Sequence, residues 1–253
     1  MIIGLFNNKG GVGKSTIVLN LAYEYMQKGK KVCVVDIDGQ ANTTEFLKNP
    51  LTTAFDNAKV LKDIINEGKN FFPTNDAIPT RFNNIWLIPA TSDNNNLTDD
   101  FCNGVWGNFD SFCEKLNAVK EILNKCFDVV LIDYPPTFND VVKVFLSILN
   151  DVTIVPVVIR DGRSIQALFN IVDFVGENEI NTQILVNRFE GKASENKILA
   201  EWKENDLPIC ETIIPLSGYI TQADNSGRFL SDKFRKVKND KVRIFEKLAN
   251  EIG

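Results

Sequence analysis

Ile2-Ile3-Gly4-Leu5-Phe6-Asn7-Asn8-Lys9-Gly10-Gly11-Val12-Gly13-Lys14-Ser15-Thr16 is the stretch whose reading decides the architecture. Residues 2–6 are a short apolar run that reads as a buried strand. A glycine-rich turn follows, and Ile17, Leu19, Leu21, Ala22, Tyr25 and Met26 then recur at mostly helical spacing, with Gly29 as a stop. In a strand-loop-helix of this kind the loop N–H groups point inward, and glycines let a phosphate approach the backbone. The helix adds the positive end of its dipole. Gly13-Lys14-Ser15 fits the end of the pattern GxxxxGK[ST], whereas Asn8 stands where its first glycine belongs. By mechanism Lys14 reaches the β- and γ-phosphates, and the Ser15 hydroxyl helps to hold Mg²⁺. Thr16 either touches the α-phosphate or only caps the helix.

Outward from this unit the chain repeats the same rhythm. Val32-Cys33-Val34-Val35, Ile85-Trp86-Leu87-Ile88, Val129-Val130-Leu131-Ile132, Val152-Thr153-Ile154-Val155, Gln183-Ile184-Leu185-Val186 and Cys210-Glu211-Thr212-Ile213-Ile214 are candidate strands, most of them separated by helical stretches. Apolar runs alternating with helices predict an α/β fold of three layers, a mostly parallel twisted sheet with helices on both faces. Residues 66–84, with Pro73 and Pro79, and the Asn-, Asp- and Gly-rich residues 91–108 interrupt the rhythm. Both read as surface excursions of one domain spanning 1–253.

Bulk composition narrows the chemistry. A chain of 253 residues with 44% hydrophobic content can bury a full core. The net charge of −5 argues against a wholly basic coat for nucleic acid, although a local basic face would still bind through its own field. The absence of histidine removes Ser/His and Cys/His catalysis and any histidine metal site. Cys33, Cys102, Cys113, Cys126 and Cys210 are scattered without a CxxC pair, which reads as reduced thiols in a cytoplasmic protein. Residues 1–6 already read as a core strand, so no leader is expected, and no apolar run is long enough to span a bilayer.

Two acidic segments end on candidate strands. Asp36-Ile37-Asp38-Gly39-Gln40-Ala41-Asn42 places carboxylates at the carboxyl end of a parallel strand, where the ligand crevice of such sheets lies. Taken alone, Asp36 and Asp38 read equally as helix caps or turn acids. Asp128-Val129-Val130-Leu131-Ile132-Asp133-Tyr134-Pro135-Pro136 is an apolar strand closing on an acid. Asp133 there would accept hydrogen bonds from Mg²⁺-bound water or from Ser15.

Together these residues resemble the ParA/MinD family of P-loop ATPases. Lys9-Gly10-Gly11-Val12-Gly13-Lys14-Ser15-Thr16 looks like its deviant Walker A motif, with the signature lysine at Lys9. The acidic segment resembles the family's DxDPQ, with Gly39 replacing proline, and Asp133-Tyr134-Pro135-Pro136 resembles its DxPP. The resemblance implies ATP and Mg²⁺ as cofactors and a sandwich homodimer formed on ATP binding. Lys9 would reach the phosphates held by the partner subunit, and Asp38 would position or activate water. Asp36 would stand behind the metal. It also implies adenine contacts from Asn187, with Arg188 beside it, and from the backbone at Pro215. The substitution at Gly39 suggests a looser loop.

Within the family the sequence favours the DNA-partition branch. The resemblance then implies non-specific DNA binding, a centromere-binding, ParB-like partner that stimulates hydrolysis, and nucleoid association in the ATP state. A plasmid or mobile element of a bacterium is the expected source. Arg228, Lys233, Arg235, Lys236 and Lys238 lie in a locally basic stretch that could meet a DNA backbone, or could be a solvated helix face. The alternative is a MinD-like ATPase that associates with membrane or positions protein complexes. Against stable membrane association, residues 242–252 carry mixed charge and read as a helix packed on the body. Asn8 also counts against the MinD branch, whose members usually carry glycine there. A cluster-bearing relative is weakest, because the cysteines lack the spacing. Sequence-specific operator binding is not expected, since no helix-turn-helix precedes the loop.

Overall fold

In the computed structural model the described residues are 1–50, 58–71, 77–159 and 162–253, with 162–167 described by their backbone alone. Pro73 lies outside them. Six parallel strands, β1 (Ile2–Leu5), β2 (Val32–Asp36), β4 (Ile85–Ile88), β5 (Val129–Asp133), β6 (Val152–Val157) and β7 (Thr182–Val186), are joined at one edge by the short antiparallel β3 (Ile78–Pro79). The order across the sheet is β3-β4-β2-β5-β1-β6-β7. The helices are α1 (Lys14–Gln27), α2 (Asn42–Leu47), α3 (Leu61–Glu67), α4 (Leu97–Cys102), α5 (Phe109–Cys126), α6 (Asp140–Ile148), α7 (Gly162–Glu177), α8 (Ala193–Glu204), α9 (Gly218–Asn225), α10 (Leu230–Lys233) and α11 (Ile244–Ile252).

The central strands are buried along their whole length, so their side chains divide between two cores by the two-residue period of a strand. Ile2, Cys33, Val35, Val130 and Ile132 join Phe112, Leu116 and Phe145 of α5 and α6 on one face. Ile3, Leu5, Val32, Val34 and Leu131 join Ile17, Leu21 and Tyr25 of α1 and Phe245 and Leu248 of α11 on the other. This is the three-layer arrangement that the alternating apolar runs imply. The C-terminal helix packs on α1 through Ile244, Phe245, Leu248 and Ala249, as the spacing of residues 242–252 predicts. Truncating a buried aromatic such as Phe245 would cost about 3–5 kcal/mol. No helix among the described residues is long and apolar enough to cross a membrane.

Two expectations change. The segment 210–214 is not a strand. It touches β7 through Cys210 N–H to the Ile184 carbonyl and Ile214 N–H to the Val186 carbonyl, both 2.9 Å. Between those points the N–H groups of Glu211 and Thr212 turn away to the Glu251 carboxylate of α11, so a continuous ladder cannot form. The 91–108 excursion is also more structured than its composition suggests. It holds a 3₁₀ turn at Ser92–Asn96 and α4, and Trp106 stacks on Phe112 with ring centroids 4.9 Å apart.

The sheet brings the loops after β1, β2, β5 and β7 to one edge, at the carboxyl ends of parallel strands. In open α/β sheets that edge is where ligands lie.

Candidate functional site

The loop after β1 is held from below by Asn7, whose Nδ2 donates to the Pro156 carbonyl at 2.9 Å and whose Oδ1 accepts from Lys9 N–H at 2.8 Å. Gly11 and Gly13 take φ of 74° and 95°, the left-handed region where a side chain is strained. At Gly13 a Cβ would also meet Asn187 Nδ2 at 2.5 Å. Helix α1 starts at once, with Ile17 N–H on the Gly13 carbonyl at 3.0 Å. The Lys14 ammonium folds back over its own loop, 3.1 Å from the Asn7 carbonyl and 3.4 Å from the Lys9 carbonyl. Burial lowers its pKa, while the charges of Asp133 and Asp38 oppose that shift. An anion in the cradle can therefore replace two neutral carbonyls as its partner.

Asp36 and Asp133 are register partners on β2 and β5, and both are almost wholly buried. Burial pushes both carboxyls well above the usual range. The Asp133 charge adds to the rise at Asp36, and the Asp38 charge to that at Asp133. Their hydrogen bonds separate their roles. Asp36 is saturated by the loop that follows it, accepting from Thr44 N–H (2.8 Å), Thr44 Oγ1 (2.7 Å) and Asp38 N–H (3.1 Å). Asp133 accepts from Thr43 Oγ1 at 2.7 Å through Oδ2, and the nearby Ser15 hydroxyl opposes the rise of its carboxyl. Its Oδ1 is buried without a hydrogen-bond partner among the described residues. An orphaned carboxylate oxygen beside a serine hydroxyl fits a water-clad Mg²⁺. Among the described residues no cluster of three or more Asp, Glu or Cys side chains is poised to chelate a metal. A metal here would rest on Ser15, phosphate oxygens and water, the usual mode for Mg²⁺.

Asp38 is half-buried, accepts from Gln40 N–H at 3.0 Å and lies close enough to Lys14 to support its charge. Gly39 packs against the 91–108 excursion. A Cβ at that position would collide with the Asn95 side chain, so the 3₁₀ turn of the 91–108 excursion closes against it. Asn94 Nδ2 also donates to the Ile37 carbonyl at 3.2 Å.

Beyond Gly13 the edge opens into a cavity of about 300 Å³, lined among others by Gly13, Thr16, Asn187, Arg188, Pro215 and Asp224. Asn187, at the end of β7, donates from Nδ2 to the Val12 carbonyl at 2.7 Å and accepts Arg188 N–H on Oδ1 at 2.8 Å. That second bond holds Arg188 at φ 54°. Pro215 is brought in by an isolated bridge to Phe189. The structure thus gathers Gly13, Thr16, Asn187, Arg188 and Pro215 around one cavity, with Lys14, Ser15, Asp38 and Asp133 grouped beside it on the other side of Gly13. Lys9 is half-buried, next to the exposed Gly10 and Gly11.

Three residues were missed by sequence reading. Thr43 and Thr44 support the two buried carboxylates, and their only signal is a pair of hydroxyls opening a helix beside two acids. Asp224 accepts from Thr16 Oγ1 at 3.1 Å and gives no motif signal at all. The basic stretch is not one helix face, because a turn separates α10 from α11. Arg228 pairs with Asp232 at 2.9 Å and Lys233 donates to the Gln222 carbonyl at 2.6 Å, whereas Arg235, Lys236 and Lys238 are exposed.

Residues 1–186 match the AAA domain family. By sequence, the ParA family protein MG470 of Mycoplasma genitalium is 26% identical over 272 residues, covering 99% of this chain and 97% of its own. By structure, a McdA variant of Cyanothece in complex with ATP matches with a TM-score of 0.80 at 21% identity, over 100% of this chain and 96% of that one. The septum site-determining protein MinD of Pyrococcus horikoshii OT3, complexed with Mg-ADP, matches with a TM-score of 0.71 at 19% identity, over 99% and 95%. At these identities the structural likeness is one of fold.

Proposed function

This chain belongs to the AAA domain family, as a ParA/MinD-type P-loop ATPase, and on that premise we propose that it binds and hydrolyses Mg-ATP to move DNA. The observation that carries the site is the convergence of the folded-back Lys14, the orphaned Asp133 Oδ1 and Asp38 beside a 300 Å³ cavity. The base would lie against Asn187, Arg188 and Pro215. The phosphates would take the N–H groups of residues 10–16 and exchange the carbonyl partners of Lys14 for charged oxygens.

Mg²⁺, held by Ser15 and through water by Asp133, would neutralise charge on the terminal phosphates. Asp36 acts at one remove, because its three donors pin the loop that presents Asp38. Asp38 orients the attacking water. Lys9 would complete the site of a second subunit across the homodimer, adding a cation where negative charge builds during transfer.

The resulting dimer would bind DNA non-specifically, and a centromere-binding, ParB-like partner would stimulate hydrolysis and release it. Support for DNA as cargo comes from Arg235, Lys236 and Lys238, which are exposed together in the turn between α10 and α11. The apolar face of α11 is spent on α1, which leaves the helix little to offer a bilayer. DNA retardation and liposome sedimentation, each with ATP, with ADP and without nucleotide, test the reading. We expect ATP-dependent DNA retardation that weakens as salt is raised. Liposome binding without DNA binding would replace the reading with membrane positioning.

A further inference from the structure

The cavity beyond Gly13 has a phosphate end, at Gly13 and Thr16, and a base end, at Asn187, Arg188 and Pro215. One face of α9 closes the side between them, presenting Ile220, Thr221 and Asp224. Among the described residues Asp224 is the one carboxylate lining the cavity, and it accepts from the Thr16 hydroxyl at 3.1 Å. Arg188, at the base end, is close enough to act on its charge.

A carboxylate only accepts hydrogen bonds, and so does a phosphate, so Asp224 cannot serve the phosphates directly. The donors that a nucleotide carries between its phosphates and its base are the ribose hydroxyls. We propose that Asp224 is a specificity-determining residue that accepts a ribose hydroxyl and so favours ATP over the deoxy analogue that lacks that hydroxyl. The inference rests on the reading of this cavity as a nucleotide site. The Thr16 hydroxyl donates to this carboxylate. A bound nucleotide draws that hydroxyl toward its α-phosphate, which frees Asp224 for the sugar, while Arg188 balances the negative charges that meet there.

Isothermal titration calorimetry of ATP, 2′-deoxy-ATP and 3′-deoxy-ATP with the full chain tests this. A hydrogen bond to a charged acceptor predicts that loss of the right hydroxyl weakens binding by about tenfold or more. In Asp224→Ala that gap should close, and in the isosteric Asp224→Asn it should shrink. A purely structural role for the Thr16–Asp224 contact would weaken all three ligands alike and leave the ratio intact, which would overturn the proposal. Equal affinity of the unmodified protein for ATP and both deoxy analogues would also overturn it. If ATP itself failed to bind, the nucleotide reading would fall and this inference with it.

Discussion

At the carboxyl ends of β2 and β5, Asp36 and Asp133 sit side by side and almost wholly buried, with hydroxyl and N–H donors fixed on them from α1 and α2. At the carboxyl end of β7 the wall of the cleft is made differently. Asn187 is tied to the phosphate loop, Arg188 has a positive φ, and Asp224 comes from a helix near the end of the chain. The acid end belongs to the sheet and is ready before a ligand arrives. At the sugar and base end, side chains hold one another by bonds that a ligand can take over. On the proposed reading, the difference teaches that the first end would set whether phosphates bind and react, and the second which nucleotide is preferred.

The largest effect should come from the phosphate end. Lys14→Ala removes the cation that exchanges loop carbonyls for phosphate oxygens, and ATP affinity should drop by about a hundredfold. Lys9→Ala should leave ATP binding by the monomer within a few-fold while abolishing the ATP-dependent dimer. Calorimetry and light scattering separate the two. An unchanged ATP-bound dimer in both variants would break the comparison, since neither lysine would then belong to the site.

A smaller effect is expected at the base end. In Asn187→Ala one neutral amide contact disappears, which costs about three- to tenfold in ATP affinity. The same change deletes the bond to the Val12 carbonyl and the acceptor for Arg188 N–H. Inorganic triphosphate sharpens the test. Its affinity should move less than that of ATP if Asn187 reads the base, and by the same factor if Asn187 only braces the loop.

The contrast between the two ends also explains what could be read from the sequence. Strand β1, the loop and the start of α1 are contiguous, so Gly13, Lys14 and Ser15 carry their chemistry in their spacing. Asp133 is legible because an apolar run ends on it. Asn187 and Pro215 were reachable only through resemblance, since sheet order, not chain order, puts β7 beside the loop. The contact between Gly39 and Asn95 was not legible, because Asn95 lies 56 positions away in an excursion that looks unstructured. The segment 210–214 misled for a similar reason. Its β-prone residues meet Glu251 of α11, a partner no local pattern announces.

The smallest effect concerns what supports the sugar end. Thr16, Asn20 and Glu24 recur every four residues on one face of α1, and each bonds the C-terminal segment, through Asp224, Leu230 N–H and the Ser231 hydroxyl. Sheet hydrogen bonds anchor the acid end, whereas this polar seam anchors the other. Burial raises the Glu24 carboxyl above its ordinary 4.5, with the Glu246 charge adding to the rise and Ser231, Lys28 and Arg243 opposing it. A carboxyl raised in the folded state keeps its proton there after the unfolded chain has lost it. Stability from this group is therefore fully present below pH 4.5 and falls as pH climbs from there through the raised folded value. Glu24→Gln keeps an acceptor for Ser231 and has no charge to bury. Its melting temperature should match that of the unmodified protein at pH 4 and exceed it at pH 7.5. Because the seam carries the helix that presents Asp224, the pH 7.5 gain should come without a change in the ATP to deoxy-ATP ratio. A ratio that moved with Glu24→Gln would mean that the seam itself, and not Asp224 alone, tunes the sugar end.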